Sequence, residues 1–142
     1  MTAQNKALAR RVFEEAFNAG NLDVIDEVAT DTFVNYDAAL PEPGIGIEAA
    51  KASIAAYRDA FPDLKLTIKE QIAEGDRVVT RWIARGTHKG ELMGMPPTGR
   101  QATVTGITID LIQNGRISES RTNWDTLGLL QQLGAIPATA TV

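Results

Sequence analysis

The chain has 142 residues, 44% hydrophobic and 23% charged with a net charge of −4, enough apolar material for one core and no basic footprint for nucleic acid. It has no cysteine, which excludes disulfides, thiolate chemistry and Cys-based zinc sites. No apolar run approaches the roughly 20 residues of a membrane span, and the opening MTAQNKALARRVFEEAF lacks the apolar core of a signal peptide, so the expectation is a single cytoplasmic domain over residues 1–142 with no nucleic-acid or membrane partner.

Residues 3–19 read as a helix, because Leu8, Val12, Phe13, Ala16 and Phe17 make one apolar stripe. Gly20 follows as a C-terminal cap. Asn21 is placed to cap a second short helix with Leu22, Ile25, Val28 and Ala29 inward. TFVNYD, residues 32–37, reads as a short strand. AALPEPGIG, residues 38–46, reads as a loop, since its prolines and glycines interrupt any ladder. A third helix spans Glu48 to Phe61 with Ala50, Ile54, Tyr57 and Phe61 on one face, and Pro62 stops it.

The period then changes from 3.6 to 2. LKLTIKEQI (64–72) and RVVTRWIAR (77–85) alternate and are joined at Glu74-Gly75-Asp76. The loop THKGELMGMPPTG (87–99) follows. QATVTGITIDLI (101–112) and RISESRTNW (116–124) flank Asn114-Gly115, a strong hairpin signal. LGLLQQLG (127–134) reads as a final helical turn, and ATATV as a frayed tail. Helices first and an antiparallel meander after them give an α+β layout, with helices on one face of a curved antiparallel sheet enclosing a pocket.

Asp125 stands where strand pattern gives way to helix pattern, between Trp124 and Leu127. Apolar neighbours would desolvate it, raise its pKa and suit it to acid/base work. It is equally placed as the N-cap of the last helix. On the strand it shares a face with Asn123, Arg121 and Glu119. His88, the one histidine, is either an acid/base or carbonyl-donor group or a tether for its loop. Arg81 and Arg85 share one strand face, with Trp82 on the other. Trp82, Trp124, Tyr36, Tyr57, Phe17, Met93 and Met95 can line an aromatic ligand's pocket or simply fill a core. Asn35, on the TFVNYD strand, joins the candidate substrate contacts. One histidine and scattered acids make no metal set. No GxSxG elbow, P-loop or dinucleotide fingerprint is present.

AFPDL (60–64), AEGDRVVTRW (73–82), GTHKGELMGMPPTGR (86–100) and NGRISESRTNWDTLGLLQQLG (114–134) together resemble the SnoaL-like polyketide cyclases, or ester cyclases, of the NTF2-like superfamily. FNAGNLDVIDEVATDTFVNYD (17–37) fits the same pattern. The resemblance implies a cone-shaped α+β barrel paired as a homodimer through its sheet. It also implies an intramolecular aldol condensation of a polyketide-like or other small apolar carbonyl compound, without cofactor or metal. The family's single acid/base aspartate falls on Asp125, and His88 could steady a carbonyl oxygen. Where relatives often carry a histidine this chain has Tyr36. Two other readings stay open. One is a binding protein for a small apolar or aromatic molecule. The other is a hydrolase or hydroxylase, for which an Asp-Arg-Asp cluster would draw on Asp125 with Arg81 or Arg85. Isomerase chemistry of the ketosteroid kind would need a tyrosine such as Tyr36 beside a protonated acid.

Overall fold

The apolar stripe of the N-terminal segment forms one helical rod in two geometries. α1, Thr2–Arg11, is α-helical, and Val12–Asn18 continues it as a π-helical turn. This computed structural model describes residues 2–137, so the ATATV tail lies outside the described residues. The wider winding stacks Phe13 and Phe17 with ring centroids 6.3 Å apart. Arg58 ties off the π segment by donating to the Phe17 and Asn18 carbonyls. The Asn18 amide then exchanges two hydrogen bonds, 2.8 and 2.7 Å, with the backbone of Leu66. One side chain thus stitches the helical rod to the sheet as a neighbouring strand would. Gly20 adopts φ +76°, the left-handed conformation that ends the rod.

α2, Val24–Val28, begins after Asp23 rather than at a cap by Asn21, whose backbone carbonyl, not its side chain, meets Val24. β1, Ala29–Asp37, starts earlier than the sequence suggests. The segment read as loop holds the short β2, Gly44–Ile45, which folds back on β1. α3, Ile47–Ala60, ends at Phe61, as Pro62 requires. β3 (Lys65–Glu74), β4 (Arg77–Thr87), β5 (Gln101–Gln113) and β6 (Arg116–Trp124) form the expected antiparallel meander. Asn114 and Gly115 both take positive φ, 52° and 77°, as a twist-matched two-residue turn demands. α4 is Thr126–Gln132.

The six strands lie in the order β2-β1-β6-β5-β4-β3. β1 runs parallel to β6, so the sheet is mixed, and only the rest of it is antiparallel as expected. The cause is topological: α3 carries the chain from β1 to the opposite edge, and three reversals bring β6 back beside β1 in the same direction. No helix of the described residues is long and apolar enough to cross a membrane.

Two apolar clusters fill the space between helices and sheet. Ala9, Val24, Val28, Phe33, Ile54, Val78 and Ile117 form one. Phe13, Phe61, Leu66, Trp82, Leu129 and Leu133 form the other. Each such aliphatic or aromatic side chain contributes about 1.5–3 kcal/mol by leaving water. Residues of both clusters face a shared cavity.

Candidate functional site

Strand register brings two polar rows and an aromatic one onto the inner face of the sheet. Asp110 of β5 pairs with Ser120 of β6, which pairs with Asn35 of β1. In the next row Thr80, Thr108, Thr122 and Asp37 follow one another across four strands. In the third, Trp82 and Trp124 flank Gly106. A Cβ on residue 106 would overlap the Trp82 indole, so glycine is what lets that ring lie across the sheet. Trp82 Nε1 donates to Thr108 Oγ1 at 3.0 Å, and Thr108 shares a 2.9 Å hydrogen bond with Thr122. Phe13 and Phe17 of the π segment, with Tyr57 and Phe61, close the cavity from the helical side. It encloses about 160 Å³, roughly ten times what a single water requires.

Asp110 is 3% exposed and faces this cavity. Ser120 Oγ donates to its Oδ1, and no cation pairs with it among the described residues. Burial pushes its carboxyl up to about 7, with the Ser120 hydrogen bond pulling weakly the other way. The group therefore gains and loses its proton near neutrality, where a general acid/base is most effective.

Asp37 sits at the cavity rim, half-buried and held differently. It accepts from Ala39 N–H, Trp124 Nε1 and Tyr57 Oη, each at 2.9 Å. Tyr57 and Trp124 meet edge to face with centroids 6.1 Å apart. Burial, and then the charge of Asp37, push the Tyr57 phenol well above its ordinary pKa, so it stays a hydrogen-bond donor.

Of the residues singled out from sequence, Phe17, Tyr57, Trp82, Trp124 and Asn35 line the cavity, and the exposed Arg85 borders it. Asp125 does not. It is exposed, and its Oδ1 accepts from Gly128 N–H at 2.9 Å as the N-cap of α4. The desolvation expected from Trp124 and Leu127 is absent: Trp124 turns inward, Leu127 is 56% exposed, and Asp125 follows the outward face of Arg121 and Asn123. His88 is fully buried but outside the cavity lining. Its Nδ1 accepts from Thr98 N–H at 3.2 Å and lies 3.1 Å from Thr98 Oγ1, its ring packs 5.5 Å from Phe61, and Nε2 has no partner among the described residues. The GTH and PPTGR stretches thus hold each other: Gly99 N–H donates to the His88 carbonyl, His88 N–H donates to the Arg100 carbonyl, and Thr87 donates twice to Asp63 of AFPDL. These motifs shape a loop. Tyr36 points to the outer side, with the Arg121 guanidinium 4.0 Å over its ring, and Met93 is 45% exposed. Arg81 is also outside, paired with Glu70 at 2.6 Å. Among the described residues no three His, Cys, Asp or Glu converge in the manner of a metal site.

Sequence reading missed Asp110, Asp37 and Ser120. The available signal was the β5 alternation, but its face is ambiguous. Gly106, Thr108 and Asp110 look like the solvent side next to Ile107, Ile109 and Leu111.

Comparison with known proteins agrees with this architecture. The family model described as SnoaL-like polyketide cyclase matches residues 7–133. An aklanonic acid methyl ester cyclase of Streptomyces peucetius is 33% identical over 129 residues, 89% of this chain and 88% of that protein. A nogalonic acid methyl ester cyclase of Streptomyces nogalater is 33% identical over 122 residues, 84% of this chain and 90% of that protein. The solved structure of TsrD from Streptomyces laurentii superposes with a TM-score of 0.86 at 30% identity, covering 96% of this chain and 98% of that one. A protein of ketosteroid isomerase-like fold from Catenulispora acidiphila, 18% identical over 95% of this chain and 97% of its own, shares the fold with a TM-score of 0.77. The chain belongs to the SnoaL-like polyketide cyclase family.

Proposed function

We propose that this protein catalyses ring closure of a neutral, polyketide-like ester by intramolecular aldol condensation, with Asp110 as the acid/base. One observation carries the reading: a carboxyl, 3% exposed and held by one serine, faces a largely apolar cavity with no cation paired to it among the described residues, and that burial raises its pKa toward neutrality. The ionised carboxylate removes a proton from the carbon α to a carbonyl, leaving an enolate. That carbon attacks a second carbonyl of the same molecule, forming the ring C–C bond. The resulting alkoxide takes the proton back from Asp110. Nothing is gained or lost, so the product is an isomer of the substrate.

The walls contribute geometry. Holding both carbonyls in contact saves much of the entropy of encounter. Trp82, Trp124, Phe13 and Phe17 offer flat apolar surfaces to a fused-ring substrate. Asn35, in the same row as Asp110, supplies an amide donor for the enolate oxygen. The names of the relatives from Streptomyces peucetius and Streptomyces nogalater supply the substrate class, acid methyl esters.

The test is turnover of aklanonic and nogalonic acid methyl esters by wild type, Asp110→Asn and Asp125→Asn, followed as a mass-neutral shift on chromatography. Ring closure by wild type and Asp125→Asn but not by Asp110→Asn is expected. Loss in Asp125→Asn with retention in Asp110→Asn would return the chemistry to the helix cap. Binding with no turnover by any of the three would make the cavity a carrier site.

The outer face of the sheet fits a second copy of the chain. Ile72, Val79 and Ile109 stand in one cross-strand row with Ile107 beside them, and the three isoleucines are 59%, 39% and 45% exposed in the order Ile72, Ile109, Ile107. An exposed apolar row of this kind supports that pairing. Sedimentation of wild type as a dimer and of Ile107→Asp/Ile109→Asp as a monomer is the expected result.

A further inference from the structure

Asp110 accounts for one carboxylate of the cavity and leaves the other without a task. Asp37 presents its charge to the same space from the rim, where β1 and β6 meet. Three neutral groups hold it, a backbone N–H, an indole N–H and a phenol O–H, and no Lys or Arg pairs with it among the described residues. Among the described residues its Oδ1 accepts two of those hydrogen bonds and its Oδ2 only one. A carboxylate oxygen has room for about two, so Oδ2 keeps an open acceptor position.

We propose that Asp37 is a specificity-determining residue: its open Oδ2 position accepts a hydrogen bond from a phenolic or enolic hydroxyl of the ligand and rejects ligands that bring an ether or a carboxylate there. The inference rests on the reading of this cavity as the substrate site, but not on turnover or on the role of Asp110.

The chemistry of the surroundings selects the hydroxyl. A carboxylate ligand would meet a like charge in an apolar enclosure, where screening is weak. A methyl ether offers no proton and leaves Oδ2 unsatisfied, the most discriminating kind of mismatch. A neutral hydroxyl fits the single open position and sets a flat ring against Trp124 and Tyr57, whose edge-to-face packing holds Asp37 in place.

Calorimetric titration with 2-naphthol, 2-methoxynaphthalene and 2-naphthoate tests this without any turnover. Wild type is expected to bind 2-naphthol about ten- to hundredfold more tightly than its methyl ether, as for a hydrogen bond to a charged acceptor. In Asp37→Asn that ratio falls below about fivefold, because the remaining acceptor is neutral. In Asp125→Asn, whose carboxylate lies outside the cavity, it stays at the wild-type value. Tyr57→Phe frees a second position on Oδ2, so there the ratio holds or rises. This variant keeps the proposal testable if Asp37→Asn does not fold. Equal affinity for the hydroxyl and its ether in wild type, an unchanged ratio in Asp37→Asn, a fall in Tyr57→Phe, or tighter binding of the carboxylate probe would each overturn it. Loss of the aldol reading would look different: no ester is turned over while the hydroxyl preference stands.

Discussion

Asp110 and Asp125 are carboxylates on the two sides of the same pair of strands, and the structure gives them opposite environments. Asp110 points into the cavity, 3% exposed, with one serine as donor. Asp125 lies just past the end of β6, exposed, with its carboxylate folded over the first turn of α4. Gly128 makes that fold possible, since a Cβ there would overlap the Asp125 carboxylate. The tryptophan beside Asp125 says nothing about its solvation, because successive residues of a strand face opposite ways. Burial follows the face of the sheet, and chemistry follows burial.

The largest difference between the two should be in rate. Asp110→Asn is expected to lower turnover by about 10²–10⁴-fold, the usual contribution of a positioned acid/base, whereas Asp125→Asn stays near wild type because asparagine caps as well as aspartate. Steady-state assays of both variants check this, and equal losses would erase the contrast.

The pH dependence of stability comes next. Folded Asp110 keeps its proton up to about pH 7, while an unfolded aspartate releases it near about 3.9. Between those values the unfolded chain binds fewer protons than the folded one. Stability therefore falls as pH rises through this window, by up to about 1.4 kcal/mol per pH unit, and levels off above it. Asp110→Asn removes the slope, so urea unfolding should find the variant gaining on wild type from pH 4.5 to pH 8. A wild-type profile parallel to that of the variant would mean that Asp110 is solvated.

Filling the space beneath Trp82 sharpens the contrast from the cavity side. Gly106→Val should displace the indole, destabilise the fold by about 1–3 kcal/mol as overpacking does, and weaken ligand binding. Thermal melts and probe titration report both. The smallest effect belongs to Asp125→Ala, which loses the cap to Gly128 N–H and about 1 kcal/mol of stability, with turnover unchanged. A larger loss, or one accompanied by lost activity, would give Asp125 a role beyond α4.

Much of the architecture was legible in the chain. Asn114-Gly115, the alternation of β3 to β6 and Pro62 after α3 are local signals, and each acts on the few residues around it. The spacings of four and five between Leu8, Val12, Phe13 and Phe17 even suit the wider π turn, although they also pass for an ordinary amphipathic stripe. The parallel pairing of β1 with β6 had no such signal, because it joins segments whose proximity depends on every element between them.

The candidate site divides in the same way. Phe17, Trp82, Trp124 and Asn35 could be found because large aromatics and strand-borne amides stand out in the sequence. GTHKG and PPTGR stood out too, and the structure shows them bracing one another through His88 and Thr98. Asp110 and Asp37 stayed hidden. In β5 the outward residues Ile107, Ile109 and Leu111 are more apolar than the inward Gly106, Thr108 and Asp110, which reverses the usual rule for a half-buried strand.

By itself, then, the sequence determined most of the elements, the hairpin turns and the family, all written in short-range spacing and motif. Only the tertiary structure decided which face of each strand looks inward. That choice rests on packing against helices far away in the chain and on the register between strands. It made a buried acid of Asp110 and a cap of Asp125, because a carboxylate's proton affinity answers to the dielectric and donors around it, not to its neighbours in sequence.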